Sequence, residues 1–366
     1  MKSNILIRTI ILLSLILVLY GCAQPRSELP NYDSALSENE QKIQNQMFAD
    51  SWIATYQSIS EIGIDILFQA SDLCINEDKM YGLGIDVATH YDAPESIRDE
   101  INKTLNLNEN LKIVSLGKIS PGSKAGLQIG DEIIKIDNLP APSGETANLE
   151  YYKILKNMKK GEYNLTINRN GKYINVSIAT EERCRFNYGI DLDNNNFNAF
   201  ADGNNIILSL RMAKWLIQDE IGAAIVFAHE FAHNANHHID DKKKNANTGA
   251  ALGLLVDILI GSKGYGYGND FMELGANIGA NQYSIQYENE ADYLSMYALA
   301  LSGYDITKAP NFWRRFAVEV PNSIYSGGSS HPTTSERYLR LETYIKEIKS
   351  KIDNGVKPMP TYKIND

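Results

Sequence analysis

Between about residues 40 and 72, apolar side chains return every three or four positions: Ile43, Met47, Ile53, Tyr56, Ile62 and Leu67. That is the period of a helix with one buried face. After Cys74 the texture changes to short alternating runs. Stretches 81–87, 112–119, 131–137, 163–170 and 172–179 read as strands, and Asn170-Gly171 is a hairpin signal between the last two. One helix, about 146–160 and stopped by Gly161, interrupts them. Beyond Cys184 the pattern becomes helical again. In one such stretch Ile221, Ala224, Ile225 and Ala228 form a buried face behind Asp219, a residue suited to an N-cap. The chain therefore reads as α+β. A mainly helical domain, discontinuous over 41–74 and 185–352, is interrupted by a β-rich domain at 75–184, and 353–366 is a C-terminal tail.

The first residues carry a different signal. Lys2 and Arg8 precede a short apolar run that ends in Leu19-Tyr20-Gly21-Cys22. This resembles the signal peptide and lipobox of bacterial lipoproteins, with 1–21 removed and Cys22 lipidated; Tyr20 is bulkier than that pattern prefers. A plain signal peptide or an uncleaved anchor helix is the alternative. Residues 22–40, polar with two prolines, suit a tether. No Asp follows Cys22, which resembles an outer-membrane destination and implies a lipid-anchored, periplasmic location. Cys74 and Cys184 then form an even pair in an oxidising compartment. They bracket the β-rich segment, whose incoming and outgoing strands should be adjacent, so a disulfide there would pin its base; two buried thiols are the other reading. The formal charge is −10, and −12 without the leader's Lys2 and Arg8, which argues against a nucleic-acid partner.

The chemistry concentrates in "IVFAHEFAHNANHH", residues 225–238. His229 and His233 stand four residues apart, so on a helix both imidazoles project from one side, as two ligands of a tetrahedral zinc require. Glu230, one step round, is placed to act as general base. If the helix continues, His238 falls on the opposite face and His237 lies two turns along, so neither shares the ion. The missing ligand is sought in "YENEADYLSMYALA" (287–300). There Glu288 would ligate, with Glu290 as the alternative, while Asp292 one turn on would accept the N–H of a ligand histidine.

Four stretches occur in order: "NAFADGNNIILSLRMA", "AHEFAHN", "YENEADYLSMYALALSGYD" and "SHPTTSERYLRL". Together they resemble the HtpX-like and BepA-like zinc metallopeptidases, gluzincins with an HExxH…ExxxD pattern, and most of all the lipoprotein members carrying an inserted PDZ domain. The resemblance implies a zincin-type domain, one Zn2+ per chain on His229, His233 and Glu288, Glu230 as base, and Asp292 behind the ligands. His331 and Arg337 belong to the last stretch. Arg337 would hold its loop through a carboxylate. His331 is open between a fourth ligand, a transition-state donor and a loop residue before a Thr333/Glu336 capping box. Segment 120–140 resembles bacterial PDZ domains, and Gly82-Leu83-Gly84-Ile85 resembles their carboxylate-binding loop, where backbone N–H groups receive a peptide C-terminus.

The expected activity is a membrane-anchored periplasmic zinc endopeptidase acting on misfolded envelope proteins. Its partners would be unfolded or C-terminal peptide segments and the membrane, through the lipid. A PDZ-containing chaperone or adaptor with a latent zinc site is the competing class. Segment 247–271, apolar but interrupted by Asp257, is open between a lid or membrane-surface element and a buried hairpin. Gly275 and Gly279 suit close helix packing. The sequence leaves the oligomeric state open.

Overall fold

The computed structural model describes residues 27, 30–33, 35–194, 196–245, 247–248, 284–324 and 335–362. The chain forms two compact units, Met1–Gln44 and Asn45–Asp366. The described part of the first is a few residues without regular structure and the opening turns of helix α1 (Ala35–Gln69), with exposed side chains such as Leu36 and Ile43. Among the described residues, no helix is long and apolar enough to cross a membrane.

In the second unit, the lower part of α1 is a core element: Ile53, Ile59, Ile62, Ile66 and Leu67 are buried, whereas Met47 is exposed. The apolar period announces the helix, but its first two positions, Ile43 and Met47, are exposed, and the first buried position of the pattern is Ile53. Strand β1 (Lys79–Gly82) follows and pairs antiparallel with β8 (Glu181–Cys184) in a two-stranded ribbon. Cys74 and Cys184 are joined at the root of this ribbon, with Cα atoms 6.0 Å apart.

The predicted strand 81–87 is in fact two. The chain leaves β1 at Gly82 and enters β2 (Ile85–Ala88), an edge strand of another sheet. The break is at Gly84, which has φ +70° and lies so near Ser120 that a Cβ would come within 2.3 Å of the serine Cβ. Only glycine meets both conditions. The larger sheet runs β2–β3–β4–β6–β7, with β3 at Lys112–Leu116, β4 at Glu132–Ile136, β6 at Glu162–Arg169 and β7 at Lys172–Ala179. A short β5 (Leu139–Pro140) adds to β4. Asn170 and Gly171 both have positive φ, 52° and 81°, the signature of a type I′ turn, and lock the β6–β7 register. Helix α2 (Arg98–Leu105), unforeseen in the sequence, packs Ile101 with Ile53 of α1. A single turn, α3 (Pro121–Lys124), and helix α4 (Ala147–Asn157) complete this region, α4 placing Ala147 and Tyr151 in its core.

Polar ties fix the β-rich region to the rest. The Asp65 carboxylate of α1 accepts the backbone N–H groups of Lys118 and Ile119, at 3.0 and 3.1 Å. Tyr56 and Tyr188 both donate their hydroxyls to Asp86 on β2, at 3.3 and 2.5 Å. Burial pushes the Asp86 carboxyl up from its ordinary range.

After Cys184 the chain does not become helical at once. Strands β9 (Asn187–Asp191), β10 (Ala199–Ala201) and β11 (Asn205–Ser209) first form a sheet of order β10–β11–β9, parallel between β9 and β11. These strands are short, and an Asn-rich stretch at 194–198 separates the first two, so their alternation is faint in the sequence. Helices α5 (Leu210–Leu216) and α6 (Glu220–Ala235) follow, then α7 (Ser284–Leu301), α8 (Ala309–Glu319) and α9 (Ser335–Asp353). Asp219 stands at the N-cap of α6 without a capping bond; its carboxylate pairs with Arg315 of α8 instead. Gly222 lets the two helices close in, since a Cβ there would lie 2.7 Å from the Phe312 ring. Phe227 and Phe231 are fully buried in the shared core, each contributing on the order of 2–3 kcal/mol.

Candidate metal centre

Helix α6 is apolar on nearly every face, yet His229, Glu230, His233 and Asn234 are buried in it. Buried polar groups require partners, and the neighbouring elements supply them. Asn234 accepts from Gly203 N at 2.8 Å and donates to Asn205 O at 3.1 Å, which ties the end of α6 to the β10–β11 turn. The histidines turn toward α7.

His229 Nε2 and His233 Nε2 are 3.3 Å apart. Glu288 Oε2 lies 3.2 Å from the first, and Glu288 Oε1 lies 3.3 Å from the second. Two donors at about 2.05 Å from one ion, held at a tetrahedral angle, are separated by about 3.3 Å. The triad therefore has the spacing of a divalent metal site, and it is the set of buried ligand-type side chains that the described residues bring together. Glu230, also buried, lies near enough to His233 to favour its charged form.

The far ring nitrogen of each histidine has its own support. His229 Nδ1 is 3.0 Å from Asp292 Oδ1. That carboxylate takes a 2.5 Å bond from Arg337 Nη2, and the guanidinium lies 3.5 Å from the centre of the Trp313 ring. Burial alone would raise Asp292, but Arg337 and His229 outweigh it and hold the carboxyl below its usual range. Burial alone would likewise depress His229, yet Asp292 and Glu288 outweigh it and raise the imidazole to about 9. His233 goes the other way, lowered to about 4 chiefly by burial. The surroundings thus bias the two imidazoles in opposite directions, and each must present an unprotonated ring nitrogen in order to ligate.

Beyond α6 the backbone departs from the assumed continuous helix. Asn236 caps α6, His237 turns left-handed at φ 56°, and residues 238–245 start a new helical stretch. His238 is therefore not on an opposite face. It is 1% exposed, and its Nδ1 lies 2.9 Å from His233 Nδ1. Glu290, the alternative ligand, lies instead 3.3 Å from His238 Nε2. His237 is remote from the triad; its Nε2 is 2.8 Å from Asp78 Oδ2, off the hydrogen-bonding direction, and Asp78 also pairs with Arg185. Arg337 binds Asp292 within the site itself. Sequence reasoning missed His238 and Trp313. The first had a signal in Asn236-His237, residue types that tolerate the left-handed region; Trp313 had none beyond an ordinary core aromatic. Cys22, His331, Thr333, Gly275, Gly279 and nearly all of 247–271 lie outside the described residues.

Gly82, Leu83, Gly84 and Ile85 join β1 to β2. Leu83 is buried, its carbonyl accepting from Gly122 N at 2.7 Å, while Gly84 O accepts from Gly117 N at 3.3 Å. The adjacent cavity, about 300 Å3, lies between β2 and α4 and reaches Arg183 and Tyr188.

An HExxH helix opposed by a Glu-x-x-x-Asp helix is the arrangement of a metallopeptidase. Residues 167–345, just under half of the chain, match the profile described as Peptidase family M48, which supports an M48 metallopeptidase and indicates a protease. Among solved structures, similar ones include "HtrA-type protease AlgW with decapeptide", 19% identical, with a TM-score of 0.23. That likeness covers 29% of this chain and spans 30% of the AlgW chain. Another is the HtrA3 PDZ domain bound to a phage-derived ligand, 21% identical over 28% of this chain and 88% of that one, with a TM-score of 0.23. No curated protein matches the chain.

Proposed function

We propose that the protein is a zinc-dependent endopeptidase, anchored to the membrane on the periplasmic side through lipid on Cys22, which hydrolyses misfolded envelope proteins. The observation that carries the reading is the buried triad of His229, His233 and Glu288, with donor spacings of 3.2–3.3 Å and Glu230 on the same helix. A zinc ion held there supplies Lewis-acid polarisation of a carbonyl and acidification of water. Glu230 takes the proton of the attacking water and returns it to the leaving amine. Asp292 keeps the His229 proton on Nδ1, so that Nε2 faces the ion.

The β-rich region is read as a PDZ-type module. Its strand β2 is at the edge of the sheet, pairing with β3 alone among the described strands, and such an edge is what β-augmentation by a substrate C-terminus would use. The Cys74–Cys184 bridge suits an oxidising compartment.

A Glu230→Gln variant tests the catalytic reading. It is expected to retain zinc and to lose at least about 100-fold in cleavage of an unfolded envelope protein. Undiminished cleavage would overturn the role of Glu230. Bound zinc with no cleavage by wild type would favour an adaptor or chaperone.

A further inference from the structure

His238 sits at the one place where the continuous-helix expectation fails. The chain leaves α6 at Ala235, reverses through His237, and returns a buried imidazole to the back of His233. Its ring stacks on Tyr287, with centroids 4.7 Å apart and planes at 29°. The contacts form a line. His233 Nε2 faces Glu288 and His229, His233 Nδ1 meets His238 Nδ1 at 2.9 Å, and His238 Nε2 meets Glu290 Oε2 at 3.3 Å.

Hydrogen-bond polarity along that line has two settings. In one, His238 Nδ1–H donates to His233 Nδ1; the His233 proton is then on Nε2, pointing into the triad, and no lone pair is left for a cation. In the other, His233 Nδ1–H donates to His238 Nδ1, and His238 Nε2–H donates to the Glu290 carboxylate. A carboxylate at the far end only accepts, so it selects the second setting. His229 receives the same instruction in one step, from Asp292.

We propose that His238 is a positioning residue for the metal site, passing the acceptor character of Glu290 to His233 and so fixing the tautomer that ligates. The proposal rests on the metal-site reading above and adds a third histidine to the determinants of affinity, one that touches neither ion nor substrate.

The test uses the full chain and zinc alone, with affinity read by chelator competition and the His233 tautomer by nitrogen chemical shifts. His238→Phe keeps the ring and its stacking but removes both nitrogens; affinity is expected to fall about 10- to 100-fold. His238→Asn can place an amide oxygen near the lost Nδ1, so it should recover most of that affinity and the wild-type His233 tautomer. Glu290→Ala, at a residue whose side chain is 56% exposed and so removable without unfolding, should weaken zinc several-fold. Wild-type affinity in both His238→Phe and Glu290→Ala overturns the proposal while leaving the metal site intact. Equal loss in His238→Phe and His238→Asn, with unchanged melting and tautomer, also overturns it by reducing His238 to a packing residue. A wild-type chain that binds no zinc overturns the metal-site reading and this proposal together.

Discussion

The two histidines of the HExxH helix are chemically identical and one turn apart, yet they are held by unlike structures. His229 is backed by a carboxylate that is itself clamped by Arg337 against Trp313, all of it buried. His233 is backed by a second imidazole and then by a carboxylate that is more than half exposed. One support is a dry ion pair, the other a relay that ends in water. The difference teaches where stability and where tunability reside. A buried pair is costly to break because it leaves an uncompensated charge, whereas a solvent-facing carboxylate can be lost cheaply.

The largest expected effect is therefore on the His229 side. Asp292→Asn preserves shape and an oxygen that can accept from His229, but it leaves Arg337 charged in the core. Urea denaturation should show a loss of roughly 3–5 kcal/mol. The same measurement on Glu290→Gln should give a change within about 0.5 kcal/mol. Equal losses from the two substitutions would erase the distinction between the supports.

A smaller effect isolates the clamp. Arg337→Lys retains the positive charge beside Asp292 and gives up the flat guanidinium stacked on Trp313. The expected cost is roughly 1–2 kcal/mol, the value of a desolvated cation–π contact. If lysine proves as stable as arginine, the indole is a bystander and charge alone holds Asp292.

The same contrast explains what was legible in the sequence. Helical periodicity carries information about residues three and four apart, so His229 with His233, and Glu288 with Asp292, could each be placed on one face before any fold was known. Arg337 could be flagged only through the motif that contains it, because its partner is set by how α9 packs on α7. His238 was lost for a definite reason. Its placement depends on a single left-handed residue at 237, and rotation angles computed along an unbroken helix put it on the wrong side. The break at Gly84 is the same kind of event in a strand, one positive φ that moves the chain between sheets. The sheet β10–β11–β9 was invisible because three- and five-residue strands offer too few alternations to outweigh a helical reading of the flanking sequence.

The smallest effect concerns how α9 stays on α7, and it is read through pH. Below the Asp292–Arg337 pair, Tyr293 and Tyr297 of α7 both donate to Glu347 of α9, at 2.9 and 2.7 Å, and Lys351 donates to it at 2.8 Å. Burial alone would raise the Glu347 carboxyl, but Lys351 and the two hydroxyls outweigh it and lower it to about 2. A carboxylate whose folded value lies below its unfolded one stabilises the fold above the unfolded value, and that contribution disappears as pH falls through the folded one. Stability from Glu347 should thus be complete above about pH 4.5 and lost on the way to pH 2. Glu347→Gln is expected to lower the melting temperature by about 1–3 °C at pH 7 and to converge on wild type toward pH 2. A difference that stays constant across this range would mean that the neutral amide and the carboxylate are lost for the same packing reason, and that the second lash between α7 and α9 is not electrostatic. If the curves converge, the His229 side has two acid-sensitive ties to α9, where the His233 relay ends at a half-exposed carboxylate on α7.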